Sequence, residues 1–160
     1  LPTVIVSSGQ TYSVTSGQTD SNDVVLSGGT MLVLSGGEAE LTTISGGGSE
    51  TVSAGSTDIG AQISGGKQDV FGFASGATVF DGGVQTIESG GTASGTTNFG
   101  GEHVLSGGTD IGARIEGSFA LQDVSGLASA ATVLSGGAQQ VEDGGTASDT
   151  TISVELVRTT

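Results

Sequence analysis

The side chains with chemical reach in this chain are carboxylates. Its 160 residues hold 17 Asp and Glu, three Lys and Arg, one His and no Cys. Two facing carboxylates can act as acid and base on a glycosidic bond, and several clustered oxygens can hold calcium. Here the acids keep a rhythm. Asp58, Asp69, Asp81, Asp110, Asp123, Asp143 and Asp149 fall at recurring places, with Asp58 echoed at Asp110 and Asp69 at Asp123. A catalytic centre is a singular constellation, whereas these acids decorate a period, without basic neighbours or an aromatic platform for a sugar. His103 is the only imidazole. A nucleophilic triad needs it beside a hydroxyl and an orienting acid, and a His-based zinc site needs more ligands; it reads as an incidental polar residue in a shortened unit. The chain is expected not to be an enzyme. No catalytic residue, cofactor site or metal ligand is assigned. The calcium-binding nonapeptide G-G-x-G-x-D-x-U-x is absent, which leaves carboxylates stacked between repeats as the route by which calcium would bind.

Net charge is −14. Such a surface repels nucleic acid and anionic membranes. It keeps a β-rich chain soluble, and its functional reading is attraction of cations or basic partners. No run of about 18 apolar residues is present to cross a membrane as a helix.

The elements that carry these acids are repeats. Gly makes up 31 residues and Pro only one, Pro2, which excludes collagen. Gly doublets punctuate the chain, and their second members Gly29, Gly47, Gly66, Gly83 and Gly101 mark units of about 18 residues. Residues 68–80 match 122–134 and residues 82–97 match 136–151, each at an offset of 54, while 57–63 match 109–115 at 52. Two extra residues around Ser118 to Ala120 restore the register. A three-rung block has been duplicated.

Within a unit the text runs T-x-V-x-S-G-G, x-Q-x-V-x-S-G-G, T-A-S-x-T. Thr, Val and Ile suit a pleated surface, Gly supplies the corners, and no helical period appears. Strands this short cannot bury a face alone, but stacked rungs can. The chain is therefore all-β, a parallel β-solenoid of about eight rungs of 17–20 residues, roughly 40 Å long at the interstrand spacing. Three inward columns are expected. One holds Val33, Val52, Val70, Ile87, Val124 and Val141. Another holds Ala39, Ala74, Ala93, Ala128 and Ala147, and a third Val25, Ile44, Val79 and Val133. Five Phe fill local widenings or sit outside. Residues 1–160 read as one repeat domain, a fragment of a longer chain, with 152–160 as a cap or a cut end.

The unit at Gly82–Phe99, recurring at Gly136–Ile152, resembles the passenger repeat of self-associating autotransporter adhesins of the diffuse-adherence and autoaggregating types, approximately S-G-G-x-Q-x-V-x-S-G-G-x-A-x-x-T-x-V. The resemblance covers nearly the whole chain. It implies a right-handed β-helix passenger on the surface of a Gram-negative bacterium, anchored by an outer-membrane barrel absent here. It further implies roles in adhesion, autoaggregation and biofilm formation, with a second copy or a host-surface glycan as partner. Exposed Ser and Thr are glycosylation acceptors in some relatives. This chain departs from the pattern in having only two Asn, Asn22 and Asn98.

Three functions follow from these readings. The leading one is adhesion through weak repeated contacts, its candidate face at the third corner near Asp58, Ser94, Asp110 and Asp149. The second is a passive spacer presenting another domain, and the third a carbohydrate-active β-helix. The core columns give a direct test of the fold. Val70→Asp places an unpaired charge in the interior, so protease sites should open in its own rung and the two beside it; cleavage spread evenly over the rod would contradict a stacked architecture.

Overall fold

The computed structural model describes residues 2–153. Each rung has three short strands. In the first these are Ile5–Val6, Thr11–Val14 and Thr19–Ser21. The pattern recurs to Thr146–Ser148, after which Thr151–Ile152 opens a ninth rung. Every strand pairs in parallel with its counterpart in neighbouring rungs, giving sheets of nine, eight and eight strands. The described residues contain no helix. The β-solenoid of about eight turns is thus as expected, and its rungs step by as little as Gln62 to Thr78 and as much as Gly101 to Leu121.

Alternation along each strand selects the core. Four-residue strands of the second sheet, such as Thr30–Val33, bury their second and fourth residues. The fourth residues stack as Val33, Val52, Val70, Ile87, Val104 and Val124, all fully buried, and each contributes about 1.5–3 kcal/mol by leaving water. The first sheet contributes Val25, Ile44, Ile63 and Val79; the third contributes Ala39, Ala74, Ala93 and Ala128. All three expected columns are present, but their last members are not enclosed: Val141 is 48% exposed and Ala147 half-buried, because no complete described rung covers them. The second residues of the second sheet form a fourth that the sequence analysis did not anticipate: Met31, Glu50, Gln68, Gln85, Glu102 and Gln122, again fully buried.

The two glycines of a doublet are required for different reasons. The first adopts a left-handed backbone, as at Gly90 with φ 84°. The second lies against the rung beneath: a Cβ on Gly91 would meet the Val70 carbonyl oxygen at 2.0 Å. At the third corner a single residue turns left-handed in every rung. Gly60, Gly76, Gly95 and Gly112 do so freely, while Asn22, Leu41, Ala130 and Asp149 do so at φ between 55° and 62°.

The two extra residues bulge at the first corner, where Phe119 stands 72% exposed. Asn98 replaces an aliphatic residue of the first-sheet column and stitches the long rung. Its Oδ1 accepts from Gly100 N at 2.9 Å, and its Nδ2 donates to the Leu121 carbonyl at 2.9 Å. Phe71, Phe73, Phe80 and Phe119 lie outside rather than in interior widenings, and the Phe80 and Phe99 rings stack with centroids 6.4 Å apart. Of the segment 152–160 read as a cap or cut end, Ile152 pairs with Val133, while 154–160 lie outside the described residues.

Urea denaturation should separate the two glycine roles. Gly91→Ala, which drives a methyl into a carbonyl, is expected to cost ~3 kcal/mol. Gly90→Ala, which meets nothing within 4 Å, should cost ~1 kcal/mol for its backbone conformation. Ala130→Gly should raise stability by ~0.5 kcal/mol, the relief of left-handed strain less the added freedom of the unfolded chain.

Candidate functional site

The outward residues form ladders. On the third sheet one column carries Thr57, Thr92, Thr109 and Thr146, and the next carries Ser75, Ser94, Ser129 and Ser148, with Phe73, Leu127, Ile59 and Ile111 between them. On the second sheet the Lys67 amine meets Asp69 at 3.1 Å and His103 Nδ1 meets Asp123 at 3.2 Å. Exposed pairs of this kind contribute about 0–1 kcal/mol. His103 is thus partnered by an acid. Its Nε2 lies over the Gly101 backbone, 3.9 Å from where a Cβ would stand, and no Ser or Thr hydroxyl among the described residues bonds to it. Thr86 and Asp123 are its register neighbours in the rungs on either side, and of the two only Asp123 bonds to it.

The four residues of the expected contact face do not share a surface. Ser94 faces outward, half-buried, and Asp149 is exposed at the corner one residue beyond Ser148. Asp58 and Asp110 are fully buried. Alternation explains the difference: in Thr57–Ile59 and Thr109–Ile111 the outer residues face water and the central Asp turns in. Both Asp occupy the small-residue column, Asp58 beside Ala74 and Asp110 between Ala93 and Ala128. The signal was in the sequence, since T-D-I aligns with T-A-S and the Ala was already assigned inward.

These inward acids meet the unanticipated polar column. Gln68 Nε2 donates to Glu50 Oε2 at 2.7 Å and to Asp58 Oδ2 at 2.9 Å. Its Oε1 accepts from Gln85 Nε2 at 2.7 Å, and Gln85 Oε1 accepts from the Thr96 hydroxyl at 3.0 Å. The duplicated block repeats the chain bond for bond. Gln122 Nε2 donates to Glu102 at 2.7 Å and Asp110 at 2.9 Å, Gln139 donates to Gln122 at 2.7 Å, and Thr150 donates to Gln139 at 3.0 Å. Burial raises Glu50 and Glu102 well above the usual carboxylate range, reinforced by the charges of Asp58 and Asp110. Burial likewise pushes Asp58 up to about 7 and Asp110 up to about 6, against hydrogen bonds that pull them down. Near the first rung the Tyr12 hydroxyl donates to Asp20, and that bond, ahead of burial, lifts Tyr12 to about 12.

A shallow groove of about 340 Å³ runs along the first corner, floored by Gly47, Gly48, Gly65 and Gly66 and edged by Lys67 and Val84. Among the described residues no three His, Cys, Asp or Glu gather into a metal-binding set.

No family model matches the chain and no curated protein matches it. A solved structure, that of a TibC-catalyzed hyper-glycosylated TibA55-350 fragment, is 21% identical. The alignment covers 97% of this chain and 92% of that one, with a TM-score of 0.44.

Charge substitutions should separate inward from outward positions. Asp58→Lys and Asp110→Lys bury a cation in the core column and are expected to unfold their rungs, read as new protease cleavage. Ser94→Lys points into water and should shift the urea midpoint by no more than about 0.5 kcal/mol.

Proposed function

We propose that the chain is an adhesive repeat module of a bacterial cell surface, acting by self-association or by attachment to a host-surface glycan. The observation that carries this reading is the periodic outer face. Thr and Ser recur in two columns along the third sheet, interrupted by Glu38 and Glu40 and by Phe73, Leu127, Ile59 and Ile111. A polar pattern repeated along a rod offers many weak contacts at once, and an array of rods on a cell multiplies them by effective concentration. The passenger-type repeat supports the same reading. The adhesive face belongs to the third-sheet ladder around Ser94 rather than to Asp58 and Asp110.

Repulsion between acidic rods is the physical objection, and the interior reduces it. Asp20, Asp23, Glu50, Asp58, Glu102 and Asp110 are buried, so the outer surface carries less charge than the composition implies. What remains is screened over about 8 Å at physiological salt. Bridging calcium between outer carboxylates is the remaining route by which a cation would assist. A spacer is the second reading, favoured by a groove that is shallow and backbone-lined rather than a built cleft.

Beads coated with the chain test both. At physiological salt, clumping is expected, and Ser94→Lys with Ser75→Lys should reduce it. Loss of clumping on chelation would give the outer carboxylates a calcium-bridging role. No clumping with or without calcium would leave the spacer.

A further inference from the structure

Of the six acids buried among the described residues, four form two pairs that adhesion does not use. Glu50 and Asp58 sit in adjacent columns of one rung, both fully buried, and a single nitrogen, Gln68 Nε2, lies within hydrogen-bond distance of both. Glu102, Asp110 and Gln122 repeat this geometry three rungs on. In each pair one oxygen of each carboxyl accepts from the Gln amide. The other four, Glu50 Oε1, Asp58 Oδ1, Glu102 Oε1 and Asp110 Oδ1, make no hydrogen bond of regular geometry, although the backbone amides of Ile59 and Ala61 approach Asp58 and those of Ile111 and Ala113 approach Asp110. Among the described residues no Lys, Arg or His enters the interior beside them: Lys67, Asp69, His103 and Asp123 occupy the outward side of the same sheet. Glu50 faces Asp58 and, at longer range, Asp23 from the preceding turn, with the Thr42 hydroxyl opposing. Glu102 faces Asp110, with Thr96 opposing.

Two ionised carboxylates sharing one amide donor in a buried interior, with no cation beside them, are strongly unfavourable. A proton relieves this: it removes one charge and turns one carboxylate oxygen into a donor.

We propose that Glu50 with Asp58, and Glu102 with Asp110, are two buried proton-holding pairs that tighten the solenoid in acid and loosen its middle rungs as the pH rises through neutrality. The direction follows from linkage. All four groups bind protons more tightly folded than unfolded. Their stabilisation is therefore complete below the ordinary carboxylate range. It is lost as the pH climbs through the folded values, about 6 at Asp110 and about 7 at Asp58. Many proteins gain stability over this interval as surface carboxylates ionise; this one loses it.

Two measurements on the wild-type chain decide the matter. Urea denaturation at pH 5, 6, 7 and 8 should show the unfolding equilibrium constant rising by at least about tenfold across the series. Refolding in weakly buffered solution near pH 7 should take up about one proton per pair. Glu50→Gln with Glu102→Gln should flatten the pH profile and raise stability at pH 8 above wild type; should that variant fail to fold, the wild-type proton uptake still decides. A wild-type midpoint that holds or rises from pH 5 to 8, or refolding without proton uptake, would overturn the proposal. So would calcium restoring the acid midpoint at pH 8, since a metal ion would then be the occupant.

Discussion

Every inward side chain in this protein rests on its own counterpart one rung away. That vertical registration, imposed by parallel pairing at about 4.8 Å, governs the rest of the structure. Because a column must accept the same shape again and again, the interior divides into narrow lanes: Val and Ile in two, Ala in a third, Gly where a carbonyl presses from below. A lane tolerates exceptions only where the neighbour adjusts. Asn98 stands in an aliphatic lane because the longer rung that follows leaves backbone groups for its amide to satisfy.

Registration also explains how a long polar column survives inside a thin core. A buried Gln has two donors and an acceptor to satisfy, and a lone one would be costly. Stacked at the rung spacing, the amide of one Gln reaches the carbonyl of the next, so Gln85 satisfies Gln68 much as one backbone amide satisfies the next in a ladder. The column ends on Thr96 at one side and on two carboxyls at the other. It also ties the second sheet to the third, since Asp58 and Asp110 come from the Ala lane.

Sequence alone revealed the fold because the repeat is written in residues whose roles are steric. Val, Ala and Gly columns could be aligned by eye, and each lies where alignment placed it, including the extra residues near Ser118. The error concerned polarity. Asp58 and Asp110 read as surface because acids usually face water, and the Gln of the repeat is given no side. Position within the strand, not residue type, decides the side, and aligning T-D-I onto T-A-S would have turned both Asp inward. Which residue of the third corner turns left-handed was also hidden, since Gly, Asn, Leu, Ala and Asp all serve there. The outer face was the least legible part: its Ser and Thr are set by water rather than by neighbours, and nothing in their order distinguishes a contact surface from a solvated one.

The two polar chains share no amide-to-amide bond. Gln85 gives its amide to Gln68 and receives Thr96, while Glu102, stacked directly upon it, takes its amide donor from Gln122 on the far side. Each three-rung block therefore closes its own amide hydrogen bonds and meets the next through the Thr96 hydroxyl, which also faces Glu102, backbone pairing and apolar contact. Removing or copying a block strands no buried amide donor. The length of such a rod can change in quanta of about 14 Å, with the seam between Gln85 and Glu102 as the place where the gene can be cut and rejoined at least cost.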